Sequence, residues 1–290
     1  MNRPVAVVTG AAGQLGSVVC RSLPGYQVVP LTRKDVDVSD PRQVRDVVAR
    51  LEPSLIVNCA AYNNVDGAED DADAAFSANA FALRSLARAA DEVGATLVHY
   101  GTDFVFAGDQ TDRPYRESDP PSPRGVYASS KLLGEWFALE AARAYVLRVE
   151  SLFGCVRGWT GRVGTLDTLV ARMAAGERIR VFTDRVVTPS RLDDVAAATR
   201  HLVESQASPG LYHCVNSGSA TWHEVAEFSA RVLGLTPQLD PIKTTDVTLR
   251  ASRPVYCALD NSKLTAAGFT MPPWTAAIED WLRSSGIVVA

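Results

Sequence analysis

The stretch from Val5 to Gly16, VAVVTGAAGQLG, constrains this chain more than any other. A β-branched apolar run stops at Gly10, and glycines recur at Gly13 and Gly16 as the next segment takes on helical spacing. A strand must turn sharply into a helix here. A side chain at these points would block the close approach of a diphosphate. The helix opening at the turn offers unpaired N–H groups and the positive end of its dipole to an anion. In this strand–turn–helix setting the loop reads as a cradle for nucleotide phosphates.

Short apolar runs then alternate with helical patterns. YQVVPLT, SLIVNCAA, TLVHYGT and AYVLRV read as strands; PRQVRDVVARL, AAFSANAFALRSLARAADEVG and YASSKLLGEWFALEAAR read as helices between them. The strands are continuous apolar runs, which fits parallel strands covered on both faces. Repeated βα units imply right-handed crossovers and an α/β fold with a Rossmann-type, doubly wound parallel sheet. Residues 1–150 are expected to form the dinucleotide-binding domain.

After residue 150 the rhythm loosens, and residues 151–290 read mainly as a smaller, interleaved C-terminal substrate lobe. A segment near 181–216 is expected to return to the sheet through GLYHCVN. Thr221, with Glu224 three residues on, predicts a capping box at the start of TWHEVAEFSARVLG. Trp274 and Trp281 in the last helical pattern read as core.

Composition excludes several classes of function. The net charge is −4, spread along the chain without a basic run, so no nucleic-acid partner is expected. No window approaches the length of a membrane span, and the apolar run at the N-terminus is too short for a signal peptide. Five cysteines lie far apart without a C-x-x-C pair, which reads as reduced thiols in a cytoplasmic protein. Four histidines show no metal-ligand spacing, and no metal is expected.

The stretch GVYASSK places Tyr127 one helical turn before Lys131, on the same face. A phenol with its ordinary pKa near 10 is a poor acid at neutral pH unless its anion is stabilised, and a neighbouring ammonium does that.

Taken with TGAAGQLG, DVDVSDP, IVNCAAYNNVDGAE, GTDFVFAG, RPYRESDPPSPRGVYASSKLLGE, VLRVESLFG, DRVVTPS and SRPVYCALDNSKL, the chain resembles an extended short-chain dehydrogenase/reductase. More narrowly, it resembles the dTDP-4-dehydrorhamnose reductase family of sugar-nucleotide 4-ketoreductases. The resemblance implies a catalytic trio of Thr102, Tyr127 and Lys131. It implies cofactor phosphates over Gly10, Gly13, Gln14, Leu15 and Gly16, an adenine side at Asp37 and Val38, and a nicotinamide-side wall of Ala60, Ala61, Tyr62 and Asn63. Arg33, after the second strand, favours the 2′-phosphate of NADPH, with NADH as the alternative. The substrate side is expected at Thr102, Asp103, Ser151 and Arg253, the last as a fork onto a diphosphate or as a structural arginine.

The implied reaction is reduction of a keto group, most simply a 4-keto group, on a nucleotide-activated deoxysugar. The chain departs from the family pattern around the sugar. Glu150 and Ser151 stand where the family has Ser and Trp, Asn63 replaces Thr, and Gly101, Phe104 and Ala107 differ from STDYVFDG. Phe104 after Asp103, where dehydratases carry a glutamate, argues against dehydration. Two other readings stand beside reduction: a non-catalytic dinucleotide-binding subunit, which need not keep the trio, and an epimerase, which would not consume free cofactor. The sequence leaves a homodimer open.

Overall fold

The computed structural model describes residues 3–155, 161 and 163–285. In chain order the first half runs β1 (Val5–Thr9), α1 (Gln14–Arg21), β2 (Gln27–Leu31), α2 (Pro41–Leu51), β3 (Leu55–Asn58), α3 (Val65–Ala68), α4 (Ala72–Phe76), α5 (Ala82–Val93), β4 (Thr96–Thr102), α6 (Val126–Ala138) and β5 (Ala144–Val149). The second half runs β6 (Leu152–Phe153), α7 (Thr165–Ala174), β7 (Arg178–Phe182), β8 (Val186–Val187), β9 (Ser190–Arg191), α8 (Leu192–Glu204), β10 (Gly210–His213), β11 (Ala220–Thr221), α9 (Trp222–Leu233), β12 (Gln238–Ile242), α10 (Ser262–Ala266) and α11 (Trp274–Ser285).

The central sheet has six strands in the order β10-β5-β4-β3-β1-β2, all parallel. The order reverses between β1 and β3, so the carboxyl ends of these two strands flank a crevice open to a ligand. Alternate residues feed opposite faces. Ala6, Val8, Leu55 and Val57 pack with α1 and α8, whereas Val7 and Ile56 pack with α2 and α5. Each buried Val, Leu or Ile among them stabilises the fold by about 1.5–3 kcal/mol. GLYHCVN does return to the sheet, pairing β10 with β5.

A separate apolar cluster holds the second-half elements together. Phe153, Leu166, Val170, Ile179, Trp222 and Ile278 are buried in it, and Trp281 is 6% exposed against it. Trp274 is partly buried at its edge.

Local signals explain the ends of helices. Asp40 caps α2 by accepting the Arg42 N–H at 2.9 Å, and Pro41 starts the first turn. Gly94 closes α5 with φ +68°, a left-handed backbone that glycine adopts at little cost. Thr221 and Glu224 form the capping box at α9. The long pattern from residue 72 to 93 is not one uniform helix. A π-helical turn at Ser77–Phe81 separates α4 from α5. Beside it Gly134 of α6 comes so close to the Asn79 backbone oxygen that a Cβ would overlap it.

Candidate active site

The ends of β1, β3, β4 and β5 lie along one edge of the parallel sheet, and the site is built on them. At the end of β1, Gly10 has φ +66°, and a Cβ there would lie 2.5 Å from the Ala60 nitrogen. Gly13 N–H donates to the Gly10 carbonyl at 2.9 Å, and a Cβ on Gly16 would overlap that same oxygen. Gly13 caps α1 without any side-chain hydrogen bond, so the helix presents a bare N-terminus. Gly13, Gln14, Leu15 and Gly16 line a cleft of about 500 Å³.

The opposite wall comes from the end of β3. Ala60, Ala61 and Asn63 line the cleft. Asn79, in the π-helical turn, fixes this wall. Its amide accepts the Tyr62 N–H at 2.8 Å, donates to the Tyr62 carbonyl at 3.1 Å and reaches the Ser130 hydroxyl at 3.0 Å. Asn58 anchors the base of the wall by accepting from the Thr9 hydroxyl at 2.6 Å.

Thr102, Tyr127 and Lys131 line the same cleft. Thr102 ends β4; its hydroxyl lies 3.1 Å from an Asp103 carboxyl oxygen and accepts the Phe104 N–H at 3.3 Å. Tyr127 sits in the first turn of α6, its ring edge-on to Phe104 at 5.7 Å between centroids. Lys131 is buried one turn along, and its ammonium donates to the Tyr100 carbonyl at 2.6 Å. Burial lowers the Lys131 pKa to about 8, while the Glu135 carboxylate acts in the opposite direction. The charge is thus kept at neutral pH.

A second cavity of about 400 Å³ adjoins the cleft. The two share Thr102, Asp103, Tyr127, Glu150, Ser151 and Thr165. Phe182, Trp222, Arg180, Arg185 and Arg253 line the second cavity without lining the cleft. Ser151 has φ +45°, the left-handed region, immediately after β5. Glu150 is 2% exposed, and burial pushes its carboxyl well above the usual range, with the Asp103 charge adding to this.

Other expected residues lie away from the cleft. Arg33 is exposed in the turn after β2, and Asp37 folds onto Ser39, whose hydroxyl and N–H hold its carboxyl below the ordinary range. Asp35 supplies a carboxylate at this turn, accepting the Thr32 N–H at 2.8 Å. Arg33, Asp37, Val38 and Tyr62 are not among the cleft's lining residues. Arg253 lines the second cavity, but its guanidinium forks onto Asp66 at 2.9 and 2.8 Å, drawing the Asp66 carboxyl down to about 2. Sequence reasoning missed Asn79, Arg180 and Arg185. Asn79 carries no local signal, since its role depends on a backbone 17 residues away.

A glycine-turned parallel sheet with a Thr, a Tyr and a Lys at the mouth of its crevice defines an extended short-chain dehydrogenase/reductase. Residues 5–286 match the family described as RmlD substrate binding domain, and the chain belongs to that family. It is 34% identical over 288 residues to the dTDP-4-dehydrorhamnose reductase of Streptomyces griseus, covering 96% of this chain and 93% of the relative. It is 36% identical over 284 residues to the probable dTDP-4,6-dihydroxy-2-methyloxan-3-one 4-ketoreductase of Streptomyces antibioticus, covering 94% and 93%. Among solved structures, the dTDP-4-dehydrorhamnose reductase of Bacillus anthracis in complex with NADP superposes with TM-score 0.91 at 31% identity, covering 98% of this chain and 100% of that one.

Proposed function

We infer that this protein reduces a keto group, of the 4-keto kind, on a nucleotide-activated deoxysugar, with NADPH as reductant. The single observation that carries the reading is the junction of the two cavities. Thr102 and Tyr127 line both, so a dinucleotide in one and a sugar in the other meet at these hydroxyls. The relatives named above as dTDP-4-dehydrorhamnose reductase, and the NADP complex, support it.

The turn fits a dinucleotide diphosphate. Glycines at 10 and 16 leave room that a Cβ would fill, and the uncapped start of α1 supplies N–H donors. Gly13, Gln14, Leu15 and Gly16 would hold the phosphates, Ala60, Ala61 and Asn63 the ring-side wall, and Lys131 the ribose. When bound, the reduced nicotinamide supplies a hydride. Tyr127 delivers the proton to the oxygen of the sugar ketone, with the Lys131 charge favouring the phenolate left behind. Thr102 donates to that same oxygen and orients it. The exposed Arg33 would meet a 2′-phosphate. Arg180 and Arg185, with Arg253 held in place by Asp66, would draw the substrate's diphosphate.

Loss of reduced-nicotinamide absorbance on mixing the protein with NADPH and dTDP-4-dehydrorhamnose, or a related keto-sugar nucleotide, tests this. Stoichiometric consumption supports reduction. Sugar conversion without consumption points to an epimerase, and tight NADPH binding with no turnover of any keto-sugar points to a binding subunit. Free thiols at all five cysteines support a cytoplasmic place. The exposed Phe81 and Trp136, on packed neighbouring elements, support a homodimer, which sedimentation would test.

A further inference from the structure

Three neighbouring strands carry a row of buried polar side chains. Thr9 of β1 is in register with Asn58 of β3, and Asn58 with His99 of β4. The Thr9 hydroxyl donates to Asn58 Oδ1 at 2.6 Å. Asn58 Nδ2 donates to the Ala60 carbonyl at 3.3 Å and lies 3.1 Å from His99 Nδ1. At the end of the row, His99 Nε2 lies 3.5 Å from Lys131 Nζ. His99 does not line the cleft, so it meets the chemistry only through Lys131.

The row fixes which ring nitrogen of His99 carries a hydrogen. The Ala60 carbonyl can only accept, so the Asn58 amide turns its NH₂ toward it and toward His99. His99 Nδ1 therefore accepts. The ring is neutral, because burial, with the Lys131 charge adding to it, holds its pKa well below the ordinary value. A neutral imidazole has one ring hydrogen, and here it sits on Nε2, facing Lys131. While Lys131 is an ammonium, two donors oppose each other across this gap. Once Lys131 is a free amine, its lone pair accepts from Nε2 and the repulsion becomes a hydrogen bond.

The other groups around Lys131 come from three elements. On β4 the Tyr100 carbonyl accepts from Lys131 at 2.6 Å and favours the ammonium, while the Tyr100 phenol bonds Thr199 instead. On α6 Tyr127 stands one turn before Lys131 and Glu135 one turn after. The Glu135 carboxylate favours the cation, though Arg148 of β5 holds it at 2.8 Å. After β3, Cys59 presents a thiol that burial keeps protonated. Burial brings the Lys131 pKa to about 8, close enough to neutral for a neighbouring N–H to decide how much cation is left.

We propose that His99 is a positioning residue whose Nε2–H, fixed by Asn58, opposes the ammonium of Lys131 and so limits the alkaline range over which the protein holds its reduced cofactor. The imidazole neither gives nor takes a proton during turnover. Its tautomer stands on the row of residues alone, whereas its effect on cofactor binding rests on the reading of the cleft as the seat of NADPH.

The test has two arms, run on wild type and His99→Gln. In the first, nitrogen-15 NMR follows His99 and Lys131 through a pH titration. Wild-type His99 stays neutral with its hydrogen on Nε2 across about pH 6–9. A hydrogen on Nδ1, or an imidazolium, overturns the proposal, and this measurement decides even where the variant fails to fold. A glutamine amide reaches the Nε2 position and can turn its oxygen to the ammonium, so His99→Gln should raise the proton affinity of Lys131 by about threefold or more. An unchanged or weakened affinity overturns the proposal.

In the second arm, NADPH affinity is measured against pH. It falls through about pH 8 in wild type, and in His99→Gln the fall moves to higher pH. Uniformly weaker binding with the fall in place would mark a merely structural role and overturn the proposal. Wild type that gives the expected NMR signals but binds no NADPH would sink the ketoreductase reading and leave the relation of His99 to Lys131 standing.

Discussion

The Lys131 ammonium is bound to the Tyr100 main-chain carbonyl at 2.6 Å, so strand β4 holds the charge that helix α6 brings. Burial sets the Lys131 pKa near 8, and the cation is therefore complete below that pH and thins out above it. NADPH binding, followed by fluorescence titration, is expected to weaken as pH rises through about 8. Lys131→Met should bind more weakly throughout and lose this dependence.

In the proposed reaction Tyr127 delivers a proton and takes no part in holding the phosphates. Tyr127→Phe is expected to bind NADPH within about twofold of wild type and to lose turnover by a factor of about 10²–10⁴. Single-turnover consumption of reduced nicotinamide measures the second quantity. Wild-type rates in that variant would remove the phenol from the mechanism.

Behind β4, Arg148 and Glu135 form an ion pair at 2.8 Å with both side chains buried, and Arg148 also lies over the Phe106 ring at 4.9 Å. Gly101 is required beside them, because a Cβ there would overlap a Glu135 carboxylate oxygen. Glu135→Ala leaves an unpaired buried guanidinium and should cost about 3–5 kcal/mol of stability, read from the denaturant midpoint. Gly101→Ser should also destabilise, by displacing the same carboxylate.

Asn79 ties the Tyr62 backbone to α6 without lining the cleft. Asn79→Ala should leave two half-buried main-chain groups of Tyr62 unpaired, costing about 1–3 kcal/mol. The wall then loosens, so KM for NADPH should rise more than kcat falls in steady-state assays. Equal effects on both would show that Asn79 does not shape the cofactor side.

The parts of this fold legible in the sequence are those that depend on neighbours in sequence. Continuous apolar runs gave the parallel strands, Gly94 gave the end of α5, and Thr221 with Glu224 gave the cap of α9. The π-helical turn at Ser77–Phe81 is hidden inside an unbroken helical pattern, and Gly134, which packs against it, lies on another helix. The Gly13–Gly16 turn and the Tyr127–Lys131 spacing are local and could be read directly. In sequence Arg253 reads equally as a diphosphate ligand or a structural arginine, because Asp66, the group it grips, lies 187 residues away. Glu150 was visible only as a departure from a pattern. Its meeting with Asp103 and Cys257 needs strand ends and a tail segment brought together in three dimensions.

The six residues common to both cavities act as a party wall. Reshaping that wall for a new sugar also reshapes the seat of the reductant. Phe182, Trp222 and the arginines line the second cavity alone, so substitutions there would leave the cofactor cleft in place. The departures from the family pattern at Glu150 and Ser151 fall on this partition, so a change of sugar there would also reseat the reductant.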